Sequence, residues 1–148
     1  MTNVLFLCTG NSCRSQMAEG LAKRLALPDV DFYSAGITAK GVDPLADEVM
    51  RELDIDISNQ TSNTLDEFGH LRFNLVITLC GNAHESCPVF SKCTAVIHHG
   101  FEDPPSLAAD VESKEERLGV YRQVRDQINS FLKSNEFESL ISENKTMN

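Results

Sequence analysis

Short apolar runs alternate along the chain with segments in which apolar residues recur every three or four positions. Four runs rich in Val, Ile and Phe, at residues 4–7, 30–35, 75–79 and 94–98, have the length and composition of strands buried on both faces. Helical patterns fall between and after them. Ala18, Leu21, Ala22 and Leu25 repeat at helical spacing, and Pro28 closes that segment. Asp43 followed by Pro44 reads as an N-cap with a first-turn proline, and Leu45, Val49, Met50 and Leu53 supply the apolar face behind it. Thr64 with Glu67, and Ser113 with Glu116, have capping-box spacing. The second pair opens a long helix whose predicted buried stripe is Val120, Val124, Ile128, Phe131 and Leu132. Strands alternating with helices imply right-handed crossovers and a parallel sheet. The expected fold is therefore α/β: a single three-layer domain over residues 1–134, with a four-stranded parallel sheet flanked by helices. Periodicity is lost after Lys133, so residues 135–148 are expected to be a partly disordered tail.

Composition adds exclusions. At 148 residues, 41% hydrophobic and 24% charged, the chain has the profile of one soluble domain with a proper core. A formal net charge of −9 argues against nucleic acid as a partner. It also means that an anionic ligand has to be held by a local pocket, against the field of the whole protein. Met1-Thr2-Asn3 leads directly into the first apolar run with no secretory pattern, and no run approaches the roughly 20 residues that cross a bilayer. A cytoplasmic, monomeric protein with no membrane partner is expected. Its five cysteines, Cys8, Cys13, Cys80, Cys87 and Cys93, would be reduced there, which points to catalysis or metal binding rather than structural disulfides.

The first chemical motif spans Cys8, Thr9, Gly10, Asn11, Ser12, Cys13, Arg14 and Ser15, between the first strand and the first helix. A strand–loop–helix junction sits at the carboxyl edge of a parallel sheet, where open α/β folds bind ligands. Successive loop N–H groups and the helix N-terminus make a concave anion site, and Gly10 lets backbone approach closely. Arg14 offers a planar fork to two oxygens of a tetrahedral oxyanion. Cys8 lies at the base, where the same field favours the nucleophilic thiolate, with Ser12 or Ser15 as a hydroxyl donor to the sulfur. Cys13 reads as a small packed residue.

The third strand ends at Cys80, on the same edge as Cys8, and Cys87-Pro88 follows. Were residues 81–86 a regular helix, the two cysteines would stand roughly 10 Å apart, at about 1.5 Å per residue. A disulfide needs Cα atoms about 4.4–6.8 Å apart, so a bond between them requires that segment to unwind. A metal site from Cys80, His84, Cys87 and Cys93 competes with this reading, although no CxxC pair is present. The third motif, Asp103-Pro104-Pro105, places a carboxylic acid in a loop after the fourth strand, positioned to protonate a departing oxygen. His98 and His99 before it read as polar strand-end residues rather than metal ligands.

Taken together, FLCTGNSCRSQMAEG (6–20), SAG (34–36), DIDISNQTS (54–62), VITLCG (76–81) with Cys87-Pro88, and GFEDPPS (100–106) resemble the low-molecular-weight tyrosine phosphatase fold. They resemble more closely the thioredoxin-coupled arsenate reductases built on it, in unbroken order from about residue 3 to residue 133. A plain phosphatase of this fold lacks the Cys80/Cys87 pair and usually has an aromatic residue where this chain has Pro105. The resemblance implies a relay in which Cys8 attacks arsenate, with Asp103 as acid and Arg14 and the loop amides holding the oxygens. Cys80 then attacks Cys8, Cys87 attacks Cys80, and thioredoxin reduces the resulting disulfide; phosphate and sulfate would compete with arsenate. It implies no cofactor beyond a potassium ion, at the positions of Asn11, Glu19, Ser34 and Asn63, and here Asn63 stands in place of a carboxylate. Three functions stay open at this point: the reductase, which needs Cys8, Cys80 and Cys87; an aryl phosphatase, which needs Cys8, Arg14 and Asp103; and an oxyanion-sensing module without turnover.

Overall fold

The first strand, β1 (Thr2–Cys8), lies inside the sheet because it is apolar on both faces: Val4, Leu5, Phe6 and Leu7 are fully buried. The computed structural model describes residues 1–79 and 94–145. Within them, β1, β2 (Val30–Gly36), β3 (Leu75–Thr78) and β4 (Ala95–His98) form a four-stranded parallel sheet in the order β2-β1-β3-β4. Successive side chains of a strand point to opposite faces. Accordingly Phe32 stacks with Phe6 and Phe137 on one face, while its neighbour Tyr33 meets Phe68 and Phe73 edge-on across the sheet.

Helices α1 (Arg14–Arg24), α2 (Pro44–Arg51), α3 (Pro104–Leu107), α4 (Lys114–Leu132) and α5 (Asn135–Glu143) are joined to a single-turn 3-10 segment, Leu65–Phe68. The predicted caps are present. The Asp43 carboxylate accepts the Leu45 N–H at 2.9 Å, the Ser113 hydroxyl accepts that of Glu116 at 3.4 Å, and Glu67 accepts that of Thr64 at 2.6 Å.

Three expectations need correction. The strands at 30–35 and 94–98 are not buried on both faces: β2 and β4 are the edge strands, with Asp31 exposed in the first and Val96 41% exposed in the second. The buried stripe of α4 runs through Leu118, Tyr121, Val124, Arg125, Ile128, Phe131 and Leu132, leaving Val120 half-buried. Arg125 belongs there because its guanidinium donates to the Val49 carbonyl at 2.8 Å and to Glu52 at 2.9 Å, so the charge is paired as it is buried. Finally, residues 135–143 are helix α5 rather than tail. Ser134 caps it, accepting the Phe137 N–H at 3.2 Å, and Phe137 and Ile141, one turn apart, are buried at 1% and 4% exposure. Two anchors in nine residues are too few to register as periodicity, yet Phe137 completes the aromatic stack on Phe6, Phe32 and Phe131.

The register sets up the site. Cys8 faces Gly36, Leu7 faces Thr78, and Thr78 faces His98, so all four strands end at one edge. The chain leaving β3 stays there, with the Leu79 N–H donating to the Leu7 carbonyl at 2.8 Å. Among the described residues no helix is long and apolar enough to cross a membrane.

Candidate active site

Residues 9–13 link β1 to α1 and curl at the carboxyl edge of the sheet. Their carbonyl oxygens face backwards. Those of Thr9, Gly10 and Ser12 accept the N–H groups of Thr38, Lys40 and Asp43 at 3.0, 2.9 and 2.9 Å, and that of Cys13 accepts from Met17 at 2.9 Å. The Asn11 carbonyl takes the Ser62 hydroxyl at 2.8 Å and the Gln16 amide at 3.0 Å. With the oxygens tied behind, the N–H groups of residues 10–13 donate to none of the described residues, and Gly10, Ser12 and Cys13 line the cleft in front. Asn11 makes the turn in the left-handed region, at φ 46°, a conformation that asparagine tolerates better than most residues.

Asn11 also decides which serine serves the sulfur. Its side-chain NH2, a donor only, lies 2.9 Å from Ser15 Oγ, so the Ser15 oxygen accepts. Ser15 Oγ also lies within hydrogen-bond distance of Cys8 Sγ, 2.9 Å away. Ser12, the other serine considered from sequence, lines the cleft instead. Cys8 is buried, 3% exposed, in a cleft of about 640 Å³ lined also by Thr9, Gly10, Ser12, Cys13 and Arg14 of the loop and by Lys40, Asp43, Asp103, Pro105 and Ser106 from elsewhere in the chain.

Arg14 is held from the far end of the sequence. One guanidinium nitrogen donates to the Phe101 carbonyl at 2.8 Å and the other lies 3.4 Å from an Asp103 oxygen. The second Asp103 oxygen accepts the Ser106 hydroxyl at 2.7 Å. Asp103 is thus brought to the cleft as expected, and the loop carrying it is seated by rings: Phe101 stacks on His99, and His99 packs on Phe131 of α4. His98 contacts Thr78 Oγ1 through Nδ1 at 2.9 Å. Both histidines therefore serve packing and edge contacts, and no cluster of His, Cys, Asp and Glu suited to a metal occurs among the described residues. Cys13, 4% exposed, has its thiol pushed well above the ordinary range, first by burial and then by the negative fields of Asp43, Asp103 and Cys8. It stays a neutral packed thiol.

Several supporting residues were not singled out from sequence. Gln16, fully buried, donates to the carbonyls of Asn11 and Thr61 at 3.0 Å each, while Gln60 donates back to Gln16 Oε1 at 2.7 Å. Asp43, besides capping α2, accepts the hydroxyl of buried Tyr121 at 2.7 Å, coupling α4 to the loop. Lys40 lies along Gly10. The available signal was polar residues in an otherwise apolar context, above all Gln16 inside the first helix.

The residues considered for potassium form two separate pairs. The Ser34 hydroxyl donates to one Glu19 oxygen at 2.5 Å, and the other Glu19 oxygen is paired with the Lys23 ammonium. The side-chain oxygen of Asn11 accepts the Asn63 N–H at 2.6 Å, and that of Asn63 accepts the Thr61 hydroxyl at 2.7 Å. These oxygens are already satisfied and the one carboxylate is neutralised, which does not fit a cation site. Cys80, His84, Cys87 and Cys93 lie outside the described residues.

A thiol in a cleft lined by a loop whose N–H groups have no acceptor among the described residues, together with a paired arginine and aspartate, is an arrangement for covalent chemistry on a tetrahedral oxyanion. The sequence profile of the low molecular weight phosphotyrosine protein phosphatases matches residues 3–143. The chain belongs to that family. A relative within reach of this phosphatase family member, the arsenate reductase of Halalkalibacterium halodurans, is 47% identical over 131 residues, covering 88% of this chain and 92% of its own. A solved arsenate reductase in an oxidized state is 34% identical with a TM-score of 0.75, covering 98% of this chain and all of its own. Another, in a phosphate-binding state, is 33% identical with a TM-score of 0.66 and the same coverage.

Proposed function

We propose that this phosphatase-fold protein reduces arsenate to arsenite by a thiol relay that thioredoxin regenerates. The observation that carries the proposal is Cys8 Sγ beneath the loop amides, hydrogen-bonded to Ser15 and faced by Arg14 and Asp103. Arsenate enters the cleft and its oxygens take the loop N–H groups and the Arg14 fork. The Cys8 thiolate attacks arsenic, forming an S–As bond as one oxygen departs as water with a proton from Asp103. An arsenate anion beside the Asp103 carboxylate repels it unless a proton lies between them, and that proton is the one delivered.

Cys80 thiolate then attacks the Cys8 sulfur. The S–As bond breaks with its electron pair left on arsenic, which departs as arsenite, and a Cys8–Cys80 disulfide remains. Cys87 attacks Cys80, freeing Cys8 and leaving a Cys80–Cys87 disulfide for thioredoxin to reduce. The relatives named arsenate reductases support this reading, as does the end of β3 lying beside that of β1, with the Leu79 N–H on the Leu7 carbonyl at 2.8 Å. A reducing, cytoplasmic setting suits such a cycle. No step requires potassium.

The family's phosphatase chemistry is the second reading, since the same Cys8, Arg14 and Asp103 suffice for attack on an aryl phosphate. One pair of assays separates the two. Cys80→Ser is expected to abolish steady-state arsenate reduction with thioredoxin while slow aryl phosphate hydrolysis persists; Cys8→Ser abolishes both. Full arsenate turnover by Cys80→Ser overturns the relay.

A further inference from the structure

We infer that Lys40 is the capture residue of the cleft, the group that draws a small, multiply charged oxyanion in against the charge of the protein as a whole. The inference rests on the reading of the Cys8 cleft as an oxyanion site and adds to it a residue outside the loop.

Lys40 belongs to the segment strapped behind the loop, its own N–H donating to the Gly10 carbonyl at 2.9 Å. Its side chain lies along Gly10 so closely that a Cβ added there would meet Lys40 Cδ at 2.9 Å and Cγ at 3.2 Å. The aliphatic stem is thereby laid against the loop, and Lys40 is part of the lining of the cleft. Glycine at position 10 is what gives the stem this path.

The charges in the cleft show why this matters. Its lining holds two cations, Arg14 and Lys40, and two carboxylates, Asp43 and Asp103. Arg14 is paired with Asp103, and Asp43 is occupied by the Leu45 N–H and the Tyr121 hydroxyl. Lys40 has no carboxylate within 4.0 Å among the described residues, whereas Lys23 and Lys114 are paired with Glu19 and Glu48. It is the one cation of the cleft lining with no ion-pair partner among the described residues. Without it the lining is net negative before Cys8 ionises, on a chain of formal charge −9, and an incoming dianion is repelled at the mouth.

The test uses inorganic phosphate as probe and protection of Cys8 from iodoacetamide as readout, which needs no turnover. Lys40→Gln removes the charge and keeps the stem through Cγ; Lys40→Arg keeps the charge and the stem through Cδ. At low salt Lys40→Gln should weaken phosphate binding about five- to tenfold, the size of a screened charge pair, and flatten the dependence of affinity on salt. Lys40→Arg should restore both. In arsenate turnover the loss should fall on KM rather than kcat. The inference is overturned if Lys40→Gln keeps the wild-type affinity and salt slope, or if Lys40→Arg is as weak as Lys40→Gln, which would make the stem's packing the cause. If phosphate fails to protect the wild-type Cys8, the oxyanion reading and this inference fall together. If protection depends on Lys40 but arsenate is not reduced, the proposed function fails and Lys40 stands.

Discussion

Gly36 is the position where one added methyl should do the most damage at the least chemical cost. It ends β2 opposite Cys8, and a Cβ built on it would lie 2.5 Å from the Thr38 carbonyl, 2.6 Å from the Asn11 N and 2.8 Å from the Thr9 carbonyl. All three are backbone atoms, and none can swing away as the end of a side chain would. Thr9 and Thr38 are joined by a hydrogen bond of 3.0 Å, and Asn11 is fixed by Ser62, Gln16 and Asn63. Reaching ordinary van der Waals contact needs a retreat of about 0.6–0.9 Å from the backbone of residues that other hydrogen bonds hold in place. Overpacking of this kind costs about 1–3 kcal/mol, and a backbone wall puts Gly36→Ala near the upper figure. For a chain of this size that lowers Tm by roughly 6–12 °C. The retreat also shifts the loop backbone at Asn11, between Gly10 and Ser12 of the cleft lining, so phosphate affinity should fall by about tenfold or more. Gly41→Ala is the control: it sits at φ 85° with nothing within 4 Å of its added Cβ. It should cost about 1–2 kcal/mol of backbone strain and leave phosphate binding alone. Differential scanning calorimetry and phosphate titration on both variants decide the matter. A Gly36→Ala protein that melts with the wild type and binds phosphate equally well would refute the claim that loop and sheet are in hard contact here.

Three further outcomes follow from other parts of the molecule. The Glu52 carboxylate is held below the usual glutamate range, chiefly by its hydrogen bond from Arg122 and then by Arg125. A depressed folded value stabilises above the unfolded one, near ~4.3, and the benefit is lost as pH falls through the folded value. Glu52→Gln should therefore be less stable than wild type by on the order of 1 kcal/mol at pH 7, with the gap closing on acidification below that range; urea unfolding showing a constant gap would contradict this. Cys13, neutral and buried, should remain unmodified when iodoacetamide at neutral pH has labelled Cys8, as peptide mass spectrometry can read; equal labelling would refute its assignment as a packed thiol. Because Lys23 already neutralises Glu19, replacing KCl by NaCl at constant ionic strength should leave phosphate affinity unchanged, and a several-fold preference for potassium would mean that the Glu19–Ser34 pair is rearranged by the ion.

What the amino-acid order determined by itself is what depends on neighbours in the chain. The apolar runs at 4–7 and 75–79 are strands because they are apolar on both faces, and Asp43-Pro44 and Ser113 cap helices because a capping oxygen reaches only two or three residues ahead. The loop from Cys8 to Ser15 was legible for the same reason: its glycine, its arginine and its place between strand and helix are local. Pairings set by sheet register and crossovers were not. Only the folded chain brings the Phe101 carbonyl to Arg14 across 87 positions, the Asn63 N–H to Asn11 across 52, and Gln60 to Gln16 across 44. It also chose Ser15 over Ser12 as partner of the sulfur, put Lys40 along Gly10, buried Arg125 against Val49, and docked α5 through Phe137. Such contacts obey no sequence period, because they depend on where the sheet edge aligns distant segments. A polar residue in an apolar stretch announces that a partner exists, and the tertiary structure alone says which one it is.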